Sequence, residues 1–258
     1  MTDQPNFLAF AWAIARARRV HRPKPIGDRW VRSDDYAGVL AALRANGVEV
    51  LSSERTVLTG FRNQMEEVDA DSLSRDGALA FWLNLYNAGA LELAAEALAV
   101  GESTVLRVPG AFDTPWAVVG GESLSLNDIE HGKIRRFGDP RIHAALVCGS
   151  VSCPTLRYEP FDDSVASQLD DQMRTFLSSG GAAIDRHAGS LELSRLFLWY
   201  GGDFVRPRRM PTWLPARRRD LSRAIARWLP TDDAEWVLAS SPSVEFAPYD
   251  WGLACSVA

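Results

Sequence analysis

Cysteine and histidine are scarce in this chain, with three of the first and four of the second in 258 residues. A secreted disulfide framework pairs its cysteines, so a small odd number favours reduced thiols; only Cys148 and Cys153 lie near enough in sequence to close a local bridge. Long apolar runs are missing as well. No uninterrupted stretch approaches the ~20 residues that a membrane helix needs, and residues 7–14, though apolar, have neither a basic segment before them nor an evident cleavage site after them. From these absences we expect a cytoplasmic protein with no membrane partner. A surplus of positive charge is also lacking: the formal net charge is −5, which argues against an obligate nucleic-acid partner. The basic run at residues 16–24 is read as a solvated helix end. Internal repeats and low-complexity tracts do not occur, and no cofactor is expected.

What is present suits an ordinary globular protein. A hydrophobic content of 47% over this length can bury a substantial core, as one large domain or one domain plus an extension. Apolar periodicity predicts helices over 7–19, 36–46 and 54–67, which together form an N-terminal helical extension spanning 1–69. Residues 74–100 are apolar almost all round, the pattern of a helix enclosed by other elements. Short strands are expected at 116–119, 122–125, 142–147, 190–193 and 243–246, with further helices at 165–178 and 217–229. The fold class is therefore α+β, a central buried helix packed on a small, mainly antiparallel sheet within a domain spanning 70–258.

Chemistry concentrates in DPRIHAALVCGSVSCPTLRY, residues 139–158, where His143, Cys148 and Cys153 fall close together. The apolar run 142–147 reads as a buried strand, stopped by the turn signals Gly149, Ser150 and Pro154. On a flat strand, His143 and Cys148, five residues apart, face opposite ways. A local dyad is not the default. His131 is the other candidate base, on a short helix that Ser125 or Asn127 would cap and that also carries Glu130.

The blocks AFWLNLYNAGAL (80–91), DIEHGKIRRFGDPRIHAALVCGSVSCPTLRYEPF (128–161), SRLFLWYGGDF (194–204) and YDWGL (249–253) resemble, in this order, the family known as domain of unknown function 547. The resemblance covers roughly 70–253. Asn84, Asn87, His131, His143, Cys148 and Cys153 all match its pattern, while Thr155 and Ala254 stand where relatives often carry proline and asparagine. It implies relatives and carries no reaction with it.

On the buried helix, Asn84 and Asn87 are three residues apart and share a face. Buried amides need partners, since leaving one unpaired costs about 1–3 kcal/mol. They either tie the helix to its neighbours or serve the site, Asn84 by orienting a catalytic imidazole and Asn87 by contacting substrate. Trp82 and Tyr86 are core or pocket wall. By analogy, a helix against a sheet bearing a histidine suggests a papain/transglutaminase-like arrangement, but FWLNLYNA offers no cysteine or serine as nucleophile. The nucleophile would then sit at Cys148, where the backbone N–H groups around Gly149 and Ser150 could form a nest for a thiolate and later an oxyanion. His131 or His143 would be the base, Glu130 or Asn84 would fix its tautomer, and Cys153 would be a resolving thiol or structural partner.

Three functional classes follow. The first is a cysteine-dependent acyl-transfer enzyme, a hydrolase or transferase acting on an amide or thioester in a small-molecule or peptide substrate. The second is a thiol redox protein using Cys148 and Cys153, although their separation is wider than a CxxC motif. The third is a non-enzymatic binding scaffold, in which Cys148 is merely a small buried hydrophobe. A metal held by two cysteines and two histidines ranks below these, because CGSVSC is wide for a zinc knuckle and the histidines lack finger spacing. No metal site is expected.

Overall fold

A computed structural model describes residues 7–257. Its centre is the helix that the sequence predicts at 74–100. Apolar on every side, that segment has no face to offer to water and must be surrounded. Among the described residues up to position 100 there are four α-helices: α1 (Phe7–Ala17), α2 (Asp34–Asn46), α3 (Leu51–Glu66) and α4 (Arg75–Ala99). Ser74 starts α4 by accepting the Gly77 N–H at its side-chain oxygen. Tyr36, Leu40, Leu58 and Phe61 of α2 and α3 join Leu83, Leu85 and Leu91 of α4 in one apolar core.

A hairpin follows, with β1 (Pro115–Val119) antiparallel to β2 (Glu122–Ser125). Its turn uses Gly120 and Gly121, both at positive φ, as a two-residue hairpin loop demands. Ser125 then opens α5 (Leu126–Asp128) through a reciprocal capping box with Asp128. Of the two caps the sequence offers, Ser125 is the one used. The helix widens at once into a π-turn, Ile129–Lys133, and tightens into a 3-10 turn, Ile134–Phe137.

The remaining elements are α6 (Val165–Phe176), β3 (Ala182–Asp185), β4 (Ser190–Leu193), α7 (Leu196–Val205), α8 (Arg218–Ile225), α9 (Thr231–Ser240) and β5 (Ser243–Phe246). Strand β4 pairs antiparallel with β3 and parallel with β5. Leu191, Phe197, Ile225 and Val244 close a second apolar core over this sheet. The fold is α+β as expected, with its strands in two small sheets. No described helix is long and apolar enough to cross a membrane.

The expected strand at 142–147 does not form. Asp139 caps a 3-10 turn, Pro140–Ala144, by accepting the Arg141 N–H, and Pro140 sits at its first position, where no N–H is required. The backbone beyond it still needs partners inside the core, and Asn87 supplies them. Its Nδ2 donates to the Ala145 carbonyl (2.9 Å) and its Oδ1 accepts the Val147 N–H (3.1 Å). One side-chain amide thus replaces the neighbouring strand. The papain-like picture of a histidine on a sheet strand falls with it, since His143 stands on a helical turn.

Candidate active site

Each asparagine of α4 is committed to the backbone. Asn84 repeats the pattern of Asn87, donating to the Phe161 carbonyl (2.8 Å) and to Ser33 Oγ (3.2 Å) while accepting the Phe161 N–H (2.9 Å). Fully buried and fully paired, it orients no imidazole, and Asn87 is likewise occupied in holding residues 145–147. Trp82 is core, its ring lying 5.2 Å from Lys133 Nζ. One turn along α4, Tyr86 does reach a cavity.

That cavity has a volume of about 680 Å³ and is predominantly aromatic and aliphatic. Glu130, His131, His143, Cys148 and Cys153 meet at its wall, beside Tyr86, Tyr200 and Tyr249. Residues far apart in sequence converge because the C-terminal segment pins the cysteine turn: Val151 N–H donates to the Gly252 carbonyl (2.9 Å), and Ala254 N–H to the Gly149 carbonyl (3.1 Å). Gly149 has φ +77°, and a Cβ there would meet Val105 Cγ1 at 3.1 Å, so the turn needs glycine on both counts. Tyr249 is carried in beside Trp199 and Trp251, with ring centroids at 4.9 and 4.5 Å.

The two thiols face each other, Sγ to Sγ 2.8 Å, and their surroundings are unequal. Cys153 Sγ accepts the Cys148 backbone N–H (3.0 Å) and the Ser150 hydroxyl (3.3 Å), and lies 3.3 Å from the Tyr249 hydroxyl. Burial pushes the Cys153 thiol up, but donation from Cys148, Ser150 and Tyr249 outweighs it and brings the group down to about 6. Cys148 moves the other way, raised by its hydrogen bond to Cys153 and then by burial. The Ser150 and Tyr249 hydroxyls also lie 3.2 and 3.4 Å from Cys148 Sγ, so the donor that Cys153 has to itself is the Cys148 N–H.

Behind the thiols lies a buried polar network. Arg135, wholly buried, donates from Nε to Asp203 Oδ2 (2.8 Å), from Nη2 to the Thr212 carbonyl (3.0 Å) and from Nη1 to His131 Nδ1 (3.2 Å). His131 Nδ1 thus lies between the Arg135 guanidinium and the Glu130 carboxylate, whose Oε1 is 3.3 Å away. Burial, the largest influence, holds the His131 imidazole down at about 4. His143 Nε2 donates to Asp203 Oδ2 (2.9 Å), and its ring stacks on Tyr200 at a centroid distance of 4.0 Å. Burial favours the neutral Asp203 carboxyl, yet His143, Arg135 and the Thr212 N–H hold it below the usual carboxylate range.

Glu130 sits on the π-turn, a distortion often found where helices serve a site. Tyr86 donates to its Oε2 (3.3 Å), and the Tyr200 hydroxyl also donates to the carboxylate. Burial raises this carboxyl, and His131, Arg135, His143 and Tyr200 more than reverse that. Oε1 is buried, with His131 Nδ1 3.3 Å away.

Arg135, Tyr200, Asp203 and Tyr249 were not singled out by residue type or spacing. A charged residue closing the apolar run LFLWYGGD was the signal available for Asp203, and an aromatic pair in YDWGL the signal for Tyr249. All four quoted sequence blocks contribute to the cavity, through Tyr86, through Glu130, His131 and the thiols, through Trp199 and Tyr200, and through Tyr249 and Trp251. Among the described residues, no group of three or more His, Cys, Asp or Glu side chains is placed to hold a metal ion. Residues 70–177 match the family described as protein of unknown function, DUF547, the family that the sequence resembles. No curated protein and no solved structure matches the chain.

Proposed function

We propose that this DUF547 chain is a cysteine-dependent acyl-transfer enzyme, a hydrolase or transferase, with Cys153 as nucleophile. The observation that carries the proposal is the Cys148 backbone N–H aimed at Cys153 Sγ, at the wall of a substrate-sized cavity where the Ser150 and Tyr249 hydroxyls lie beside both sulfurs. A thiolate stabilised by fixed donors is a nucleophile ready at neutral pH. The acid–base partner is His143, whose tautomer and orientation are set by Asp203 as a general base requires. In the first half-reaction the thiol proton passes to His143, a Cys153 Sγ–carbon bond forms, and the bond from that carbon to the leaving nitrogen or sulfur breaks. The leaving group takes the proton from His143. Water or a second nucleophile then gives its proton to His143 and bonds to the acyl carbon, the Cys153 Sγ–carbon bond breaks, and the sulfur leaves as the thiolate.

The cavity supports an apolar substrate portion seated against Trp199, Tyr249 and Trp251. The substrate class remains a small molecule or peptide bearing an amide or thioester. Two free thiols of this kind fit a reducing compartment such as the cytoplasm.

The deciding experiment is the pH dependence of alkylation at each cysteine, followed by mass spectrometry in wild type, Cys148→Ser and His143→Asn. Cys153 is expected to gain reactivity as the pH rises through about 6, because the reactive species is the thiolate, while Cys148 stays slow. Two thiols that react only near pH 9 would remove the nucleophile and leave a binding scaffold. The 2.8 Å contact between the sulfurs favours a second reading, dithiol redox exchange. A readily reducible Cys148–Cys153 disulfide, with no effect of His143→Asn on thiol reactivity, would move it ahead.

A further inference from the structure

The basic run at residues 16–24 is not uniformly solvated. Arg16 is paired with Asp113 and Asp128, both at 3.2 Å, and His21 with Asp71 at 3.3 Å. Arg22 faces a different environment. It lines a cleft of about 340 Å³ together with Arg75, from the first turn of α4, and Arg136, from the 3-10 turn after His131. Pro23, Pro25 and Phe137 complete the wall.

None of these six residues is acidic, and among the described residues none of the three guanidiniums takes part in a salt bridge. Among the described residues, the buried Arg136 Nε has no hydrogen-bond partner. Arg75 is held in place, donating from Nη2 to the Phe137 carbonyl (2.6 Å) with its guanidinium 5.4 Å from the Phe137 ring centroid. Burial, and after it the charges of Arg22, Arg18 and Arg135, pull Arg136 below the usual arginine range, the mark of like charges gathered without a counterion. Such a cluster is unusual in a chain of net charge −5. Three planar guanidiniums lining one cleft match the oxygens of a phosphoryl dianion better than a single carboxylate.

We propose that this cleft binds a phosphomonoester group, whose oxygens take N–H donors from Arg22, Arg75 and Arg136. It shares no lining residue with the thiol cavity and does not depend on the acyl-transfer reading. The phosphoryl group could come from a soluble metabolite or from a lipid headgroup.

The test is calorimetric titration of the full chain with inorganic phosphate, with glycerol phosphate, and with phosphatidylcholine vesicles containing a phosphoinositide. Saturable phosphate binding is expected, weakened about tenfold or more in Arg22→Gln and Arg136→Gln, each removing a charge-assisted contact. It should be unchanged in Arg19→Gln, a basic residue of the same run that does not line the cleft. Arg22 is exposed, so its variant tests the site even if Arg136→Gln folds poorly. Tighter binding of glycerol phosphate than of vesicles assigns a soluble ligand, and the reverse assigns a membrane lipid. Absence of saturable binding by every probe, or equal weakening in Arg19→Gln, overturns the proposal.

Discussion

Helix α4 and the Cys148 to Cys153 turn both place polar side chains in apolar surroundings, and they treat them in opposite ways. Asn84 and Asn87 each meet a backbone donor and a backbone acceptor, so their amides are exhausted by structure. The two thiols meet each other and two hydroxyls, with one backbone N–H aimed at Cys153, and both remain at the wall of a cavity. A fully satisfied polar group rigidifies the core, whereas donors trained on one sulfur alter its acidity. Burial alone therefore does not separate structural from chemical residues here; the identity of the partner does.

The comparison breaks most severely at Asp203, which belongs to both worlds: it is fully buried like the asparagines and faces the site through His143. Asp203→Ala leaves the buried Arg135 charge without its carboxylate and is expected to destabilise the protein by about 3–5 kcal/mol in denaturant titration. A loss well under that would mean that Thr212 and His131 suffice to hold Arg135. Next in size, Asn87→Ala strips partners from the Ala145 carbonyl and the Val147 N–H, a cost of about 2–4 kcal/mol. Cys153 should keep its low alkylation midpoint in the folded variant, and a midpoint that follows the stability change would show the two regions to be coupled. The smallest effect is expected for Tyr249→Phe, which removes one hydroxyl from beside both sulfurs. Stability should stay within about 1 kcal/mol while the Cys153 midpoint rises by less than about one pH unit. An unchanged midpoint would assign the thiolate to the Cys148 N–H and Ser150 alone.

Much of the architecture was legible locally. The cap at Ser125, the all-round apolarity of α4, and the strands at 122–125, 190–193 and 243–246 follow from short-range patterns, which depend on chain geometry within a few residues. Strand β3 and helices α7 and α9 were not anticipated. The apolar run at 142–147 misled because strand and irregular core backbone look alike when both are buried; what distinguishes them is the amide of Asn87, some sixty residues earlier.

By itself, then, the sequence determined that a buried helix would organise an α+β fold, and it singled out Cys148, Cys153, His131, His143 and Glu130 as candidates, which the fold gathers at one cavity. Only the tertiary structure decided how they divide the work. It brought Tyr249 to both thiols, Asp203 to His143 and Arg135 to His131, and it aimed the Cys148 N–H at Cys153. The physical reason is that a side chain's acidity and its freedom to react depend on which donors, charges and apolar walls lie within a few ångströms, and contacts between residues 60 to 100 positions apart leave no trace in local spacing.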